Sequence, residues 1–284
     1  MSRIVYVNGA FVAEEDAKIS VFDRGFLFAD GVYEVTPVLR GKLVENAGHM
    51  KRLQRSLDEL KMASPTPVAE IPALMQDLVT RNAVDEGMVY LQVTRGAADR
   101  DFAFPKHPEP SLVMFTQSRP LIDTAPARNG ISVISAPDIR WGRRDIKTVQ
   151  LLAPSMMTQA AKDAGADDAW MVEDGFVTEG TSNNAYIVTR AGVIVTRQLS
   201  NAILHGITRA SVLRLAAEAQ MAVEERPFTI AEAQDAAEAF YTSASAFVTP
   251  VVKIDGVRLG DGKPGPVAKR LREIYLEMAL AAAE

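Results

Sequence analysis

The stretch DIRWGRRDIKTVQLL (138–152) decides how this chain is interpreted. It follows a β-branched segment, 131–136, that predicts a strand, and it leads into Leu152–Asp163, whose pattern predicts a helix. Three arginines lie close to Lys147 in this connection. Bunched cations disfavour the protonated form of a lysine and lower its pKa, and such lysines form Schiff bases. From these residues alone, a solvated basic loop stays the simpler interpretation.

A second polar segment, VTEGTSNN (177–184), joins two predicted strands. It places the carboxylate of Glu179 beside a glycine and several small polar residues. The segment is either a plain turn or a site in which Glu179 faces a cleft and the small groups bind a polar ring. The residues by themselves leave both interpretations open.

Two further segments have the composition of anion sites. Gly206, Ile207 and Thr208 open a predicted helix, where free amides and a hydroxyl suit a phosphate group. Ser243 and Ala244 lie among small residues at the end of a predicted strand. An ordinary helix cap and a simple turn explain these two segments equally well.

Composition limits the possible functions. The 284 residues carry a net charge of −5 without a basic run, which argues against nucleic acid as a partner. Cysteine is absent, so thiolate metal sites and cysteine nucleophiles are excluded, and a reducing compartment is expected. No apolar run approaches the roughly 20 residues that span a bilayer. Because MSRIVYVNGAFV alternates like a strand and not like a signal peptide, we expect a cytoplasmic protein.

The order of predicted elements indicates an α+β (mixed α/β) chain in two domains. Residues 1–118 form a smaller N-terminal domain, 119–129 a linker with two prolines and no clear period, and 130–284 a larger C-terminal domain. The first domain contains a polar, proline-rich loop, GAADRDFAFPKHPEP (96–110), of a length that usually has a function.

Several familiar motifs are either absent or lack the structural context they need. GDGKPG (260–265) matches a dinucleotide-binding pattern but leaves only 19 residues after it, too few for the crossover and the next strand. It is better explained as a loop before the last helix. The three histidines are scattered, and neither H-E-x-x-H nor G-x-S-x-G occurs, so no metal centre and no α/β-hydrolase site are predicted.

Taken together, these segments resemble the fold-type-IV aminotransferases, and among them the D-amino-acid transaminases most. The resemblance covers nearly the whole chain and is carried by DRGFLFADGVYEV (23–35), HMKRL (49–53), VYLQVTRG (89–96), DIRWGRRDIKTVQLL (138–152), VTEGTSNN (177–184) and ILHGITR (203–209). It implies a barrel-like sheet in a cofactor-binding C-terminal domain, the cofactor pyridoxal 5′-phosphate, and a homodimer.

The resemblance also implies a role for each matching residue. Lys147 forms the internal aldimine and shuttles the substrate proton, and Glu179 pairs with the pyridine nitrogen of the cofactor. Leu204 packs on the cofactor ring. The phosphate is bound by Arg52, Ile207, Thr208, Ser243 and Ala244. The substrate is contacted by Tyr33 and by Arg100 and Phe102 of a neighbouring subunit's loop.

Two positions depart from the family pattern. The D-amino-acid enzymes usually carry Arg-x-His in the long loop, and here the histidine position is Phe102, which puts the strength of carboxylate binding in doubt. Ala244 stands where a second hydroxyl residue is common. The resemblance implies a ping-pong transfer of an amino group from a D-amino acid to pyruvate or 2-oxoglutarate. The alternatives are an (R)-amine or branched-chain aminotransferase, an aminodeoxychorismate lyase, and an inactive scaffold.

Overall fold

The computed structural model describes residues 2–282, which cluster into two compact units. One unit contains the residues up to Pro120 together with Ile146–Gln150 and the end of the last helix. The other contains Leu121–Asp145 and Leu151–Met278. Lys147 thus belongs to the first unit although it lies far along the chain. No helix within residues 2–282 is long and apolar enough to cross a lipid bilayer.

The first unit is built on a six-stranded antiparallel sheet. The strand order is β2-β1-β6-β5-β3-β4. The strands are β1 (Ile4–Val7), β2 (Ala10–Ala13), β3 (Gly31–Leu39), β4 (Lys42–Leu43), β5 (Gly87–Thr94) and β6 (Ser111–Ser118), and the helices are α1 (Arg24–Phe28), α2 (Asn46–Glu59) and α3 (Ile71–Arg81).

The helix α2 forms because its apolar residues recur at helical spacing and face the sheet. Met50, Leu53 and Leu57 are buried in one core with residues of α3, β3 and β5. The same stripe brings His49 and Arg52 inward, and both are buried. The helix therefore carries two polar side chains against β3.

The second unit is built on a mixed nine-stranded sheet. The order is β12-β11-β10-β13-β14-β7-β8-β9, with β15 paired to β14. The strands are β7 (Ile131–Pro137), β8 (Asp168–Glu173), β9 (Phe176–Gly180), β10 (Asn184–Val188), β11 (Ile194–Thr196), β12 (Val223–Glu225), β13 (Glu238–Ser243), β14 (Phe247–Ile254) and β15 (Val257–Arg258).

Five helices accompany this sheet. They are α4 (Ala125–Asn129), α5 (Leu152–Asp163), α6 (Ile207–Glu218), α7 (Ile230–Asp235) and α8 (Pro266–Ala281). The 260–265 segment ends where α8 begins, as expected for a loop before the last helix. The helix α4 was missed in the predicted linker because one turn, capped by Thr124 and containing Pro126, is too short to show a period.

Candidate active site

Lys147 lies in an extended segment that runs beside β3. The Tyr33 amide donates to the Lys147 carbonyl at 2.9 Å, and the Val149 amide donates to the Gly31 carbonyl at 3.1 Å. The Lys147 Nζ atom lies 4.1 Å from the centroid of the Tyr33 ring. Within residues 2–282 no carboxylate pairs with this amine. A half-buried lysine held against an aromatic face and lacking an acidic partner suits covalent chemistry.

The arginines around Lys147 in sequence are each paired with carboxylates. Arg140 pairs with Asp138 and Glu179, Arg143 with Asp145, and Arg144 with Glu173. The expectation that bunched cations act on Lys147 is therefore wrong, because carboxylates inside the segment (Asp138, Asp145) and beyond it (Glu173, Glu179) neutralise them. The alternative of a fully solvated basic loop is also wrong, since Arg144 is buried.

Arg52 belongs to a buried cluster with Glu34 of β3 and His49 of α2. Arg52 donates two hydrogen bonds to the Glu34 carboxylate, from Nε at 2.8 Å and from Nη2 at 2.7 Å. His49 Nδ1 lies 2.8 Å from Glu34 Oε2. This bidentate pairing fixes the plane of the guanidinium, so Arg52 is not a solvated helix-surface arginine.

The cluster has unusual titration properties. Burial on its own would raise the pKa of the Glu34 carboxyl, but Arg52 and His49 outweigh it and lower the pKa from 4.5 to about 2. Burial lowers the pKa of the His49 imidazole; Glu34 opposes this effect, while Arg52 and Lys147 add to it. His49 is therefore neutral at pH 7 and donates its Nδ1 proton to Glu34.

These shifts predict that the protein loses stability as the pH falls. Both folded pKa values lie below the ordinary ones of 6.5 and 4.5, so stability is fully present above pH 6.5. The His49 contribution declines as the pH falls below 6.5, and the Glu34 contribution declines between 4.5 and about 2. Urea unfolding at about pH 7.5, 6.5 and 5.5, which span the ordinary histidine range, measures how the free energy of unfolding changes with pH.

The H49N substitution should flatten this slope because it removes the titrating ring. His107 is exposed and provides the matched control, so H107N should leave the slope unchanged. If wild type and H49N lose stability equally between pH 7.5 and 5.5, the depressed pKa of His49 is refuted.

Glu179 is a buried carboxylate at the end of β9 in the second unit. Arg140 Nη1 donates to its Oε1 at 2.5 Å, and Asn184 Nδ2 donates to its Oε2 at 2.9 Å. The Leu204 amide donates to both oxygens, at 3.1 and 3.2 Å. Four hydrogen bonds from three residues hold the carboxylate in one orientation, which a simple turn residue does not need.

The charge on Glu179 is set by competing effects. Burial raises the pKa of its carboxyl, and Arg140 and the Leu204 amide oppose that rise. Arg140 is itself held by a bidentate contact with Asp138, at 3.0 and 2.7 Å. A buried carboxylate with one arginine partner can stabilise a protonated, positively charged ring nitrogen placed beside it.

The start of α6 has the features of an anion site. No side chain caps the first turn, which begins after Gly206 and presents the amides of Ile207 and Thr208. A side chain at Gly206 would displace the Asn184 side chain, whose amide group is held by Glu179 and by the Leu204 carbonyl. Asn184 also donates to the Leu204 carbonyl at 3.0 Å, which ties the helix start to the residues around Glu179.

Ser243 and Ala244 lie where β13 turns into β14. Ser243 is the cross-strand partner of Phe247, and Ala244–Ala246 form the turn. Both Ser243 and Ala244 are partly exposed at this tip.

Arg100 and Phe102 are exposed on the long loop of the first unit. The Arg100 guanidinium lies 5.5 Å from the Phe28 ring centroid and 5.6 Å from that of Phe102. In the described part of the chain, neither residue contacts Tyr33, Arg52 or Lys147. The loop is held by buried Arg24, which donates to the Asp101 carbonyl at 2.6 Å and to the Ala103 carbonyl at 3.3 Å.

The model of the family described as amino-transferase class IV matches residues 31–254, which include both Lys147 and Glu179. The chain belongs to the class IV aminotransferases. This match confirms the prediction, made from the sequence, that the chain is a fold-type-IV aminotransferase.

Curated relatives of this class IV aminotransferase have similar lengths. It is 38% identical over 272 residues to the D-alanine aminotransferase of Staphylococcus aureus (strain MSSA476), covering 95% of both chains. It is 38% identical over 270 residues to the D-alanine aminotransferase of Bacillus licheniformis, covering 94% of both.

Solved structures of the same fold are also similar. The branched-chain amino acid aminotransferase of T.th., complexed with N-(5′-phosphopyridoxyl)-L-glutamate, superposes with a TM-score of 0.89 at 28% identity, covering 98% of this chain and 94% of that one. The Escherichia coli branched-chain enzyme superposes with a TM-score of 0.91 at 21% identity, covering 98% and 95%. These matches confirm the mixed α/β fold and its barrel-like sheet.

Four residues of this class IV aminotransferase hold the predicted site residues through contacts that were not predicted from the sequence. They are Glu34 and His49 around Arg52, and Arg140 and Asn184 around Glu179. All four lie inside the quoted segments, but the partners of Arg140 and Asn184 are 39 and 5 residues away, and no sequence spacing reveals the first contact.

Proposed function

We propose that this aminotransferase moves the amino group of a D-amino acid to a 2-keto acid, pyruvate or 2-oxoglutarate, with pyridoxal 5′-phosphate as cofactor. The observation that carries the proposal is the Lys147 amine, half-buried over Tyr33 and without a carboxylate partner among residues 2–282. The 38% identity to D-alanine aminotransferases supports the D-amino-acid substrate.

The described residues fit this cofactor. Lys147 supplies the amine for the covalent link, and the oriented carboxylate of Glu179 suits the pyridine nitrogen. Arg52, the uncapped start of α6 at Ile207 and Thr208, and the Ser243–Ala244 tip supply donors for a phosphate. Leu204, which is half-buried, supplies an apolar surface for the ring.

When bound, the cofactor supplies an electron sink for the substrate's Cα carbon. The Nζ amine of Lys147 would act as the general base that takes the substrate's Cα proton, holds it and later returns it. Glu179 keeps the ring nitrogen protonated because its negative charge stabilises the positive one. The same residues act in reverse on the second substrate, so ping-pong kinetics follow.

A screen of D- and L-amino acids against pyruvate and 2-oxoglutarate tests the proposal. We expect amino transfer from D-alanine and other D-amino acids, with L-leucine and L-valine at least about tenfold slower, which corresponds to roughly 1.4 kcal/mol. Faster transfer from the branched L-amino acids would replace the proposal with a branched-chain aminotransferase. The cytoplasmic location stays a prediction.

We further propose a homodimer in which Arg100 binds the substrate carboxylate in the partner's site. The first unit exposes Phe22, Phe26, Phe102 and Phe104, large apolar side chains that a partner surface would cover. Arg24 and Arg95 lie against Phe104, at 5.6 and 3.7 Å from its ring centroid, and hold this surface in place.

Mixing inactive K147A chains with inactive R100A chains should restore activity. Only hybrid dimers contain one intact site, so random exchange yields about a quarter of the wild-type activity. Native mass spectrometry measures the fraction of hybrids in the same samples. Hybrids that form but show no activity would contradict a role for Arg100 in the partner's site.

A second candidate function rests on Phe102, which is 80% exposed although its ring touches that of Phe28. Such a side chain is available to a substrate and offers an apolar wall where the family pattern has histidine. We propose that it shifts preference toward larger apolar D-substrates and admits (R)-configured aromatic amines. Arg100 keeps a fixed charge, so D-amino acids remain substrates.

The F102H substitution should raise kcat/KM for D-alanine relative to (R)-1-phenylethylamine by roughly tenfold or more, the effect of one charge-assisted hydrogen bond. Phe104 lies in the same loop but stacks under Arg95, so F104H is the matched control and should leave the ratio unchanged. An unchanged ratio in F102H would show that Phe102 does not face the substrate.

A further inference from the structure

The turn between β13 and β14 has an unusual backbone. A three-residue loop, Ala244–Ala246, is followed by Phe247 with φ of +59°. In short hairpins a left-handed residue commonly completes the turn, and that conformation favours glycine. A bulky side chain in that conformation stores strain and persists only where its surroundings hold it.

The side chain that holds this turn is Arg272 of α8, which is buried. Its Nη1 donates to the carbonyls on both sides of Phe247, that of Ala246 at 2.7 Å and that of Val248 at 2.8 Å. Its Nη2 donates to the carbonyls of Leu121 and Ile122, at 2.8 and 2.7 Å. One guanidinium therefore joins the turn, the last helix and the segment that enters the second unit.

Two further contacts support the same turn. The Phe247 ring is fully buried and packs on the Tyr275 ring, with centroids 5.2 Å apart. The Thr249 hydroxyl donates to the Ala246 carbonyl at 3.0 Å, next to the bond from Arg272. Residues 272 and 275 are one helical turn apart, so the same face of α8 supplies both contacts.

The contacts of Arg272 also affect the position of Ser243. Ser243 pairs across the hairpin with Phe247, and the Ala246 amide lies 3.4 Å from the Ser243 carbonyl. Since the peptide bond is planar, fixing the carbonyls of Ala246 and Val248 also fixes the direction of the neighbouring amides. The shape of the tip at Ser243 and Ala244 thus depends on contacts made from the far end of the sequence.

We propose that Arg272 is a positioning residue for the cofactor phosphate, because it holds the Ser243–Phe247 turn in the conformation that binds the phosphate group. The proposal rests on the function proposed above, in which Ser243 contacts that phosphate. Arg272 acts through the turn and does not itself touch the cofactor.

The chemistry of the contact argues for a geometric role. All four acceptors are neutral main-chain carbonyls, which a planar fork of N–H donors can join simultaneously and a lysine ammonium cannot in the same geometry. R272K therefore keeps the positive charge but loses the positioning. A long-range charge effect on the phosphate would instead survive in R272K.

The test compares pyridoxal 5′-phosphate with pyridoxal, which lacks the phosphate. Cofactor-free protein prepared from the holoenzyme is titrated with each compound, for wild type, R272M and R272K. We expect the Kd for pyridoxal 5′-phosphate to rise roughly tenfold or more in both variants. The Kd for pyridoxal should change less than about twofold, a difference below roughly 0.5 kcal/mol.

Arg270 lies on the exposed side of α8 and pairs with Glu273, so R270M is the matched control and should bind both compounds like wild type. If R272M does not fold, R272K decides the question. An unchanged Kd for pyridoxal 5′-phosphate, or equal losses for both compounds, overturns the proposal. If the wild type itself fails to bind pyridoxal 5′-phosphate, the proposed function is wrong, which is a separate outcome.

Discussion

Replacing Lys147 by alanine should lower kcat by at least about 10³-fold, because the same amine forms the covalent link and moves the substrate proton. Binding of the cofactor should persist, since its phosphate and ring nitrogen are proposed to contact other residues. Steady-state kinetics with D-alanine and pyruvate measure the loss. Dialysis followed by quantification of the retained cofactor measures the binding.

The matched control is K42A, which removes an exposed lysine of the first unit and should leave kcat unchanged. Added methylamine should restore part of the K147A activity, because a free amine can replace the missing proton carrier. K147A with near-normal kcat would remove Lys147 from the mechanism, whatever the family similarity indicates.

Replacing Glu179 by glutamine should slow proton removal from the amino substrate by roughly 10- to 100-fold, the effect of losing one charge-assisted contact of about 1.5–3 kcal/mol. The amide keeps the size of the side chain and can still accept the Leu204 amide proton. The loss therefore reports the negative charge opposite the ring nitrogen. Single-turnover absorbance changes with D-alanine measure this half-reaction directly.

Asp174 provides the control, since it is an exposed carboxylate in the turn just before β9 and D174N makes the same chemical change. R140M is a second variant that tests the charge on Glu179. It leaves Glu179 buried without its arginine partner, which raises the pKa of the carboxyl further and so should also slow the half-reaction. Half-reaction rates equal to wild type in E179Q would make Glu179 a structural residue.

The sequence predicted those parts of the structure that depend on local patterns. The bounds of α5 agree with the prediction because the apolar period and the glycine that follows the helix, Gly165, determine them locally. The helix at 24–28 was missed because five residues capped by Asp23 show no periodicity.

The candidate site residues could be named from the sequence only through its resemblance to a known family. Lys147 and Glu179 stand in short motifs that carry the resemblance, and the resemblance names both residues. The partners that fix Arg52 and Glu179 could not be predicted, because the Glu34–Arg52 and Arg140–Glu179 pairs join positions 18 and 39 residues apart. Arg272 is the extreme case, since its carbonyl partners carry no side-chain signal at all and two lie 151 and 150 residues away.

The proposed covalent bond between Lys147 and the cofactor underlies every role assigned to the other residues. Borohydride reduction of the purified protein with pyridoxal 5′-phosphate, followed by peptide mass spectrometry, locates that bond. We predict a single phosphopyridoxyl modification on the peptide containing Lys147, and its loss when D-alanine without a keto acid is added before reduction. Modification of another lysine, or the absence of any adduct, would contradict the account.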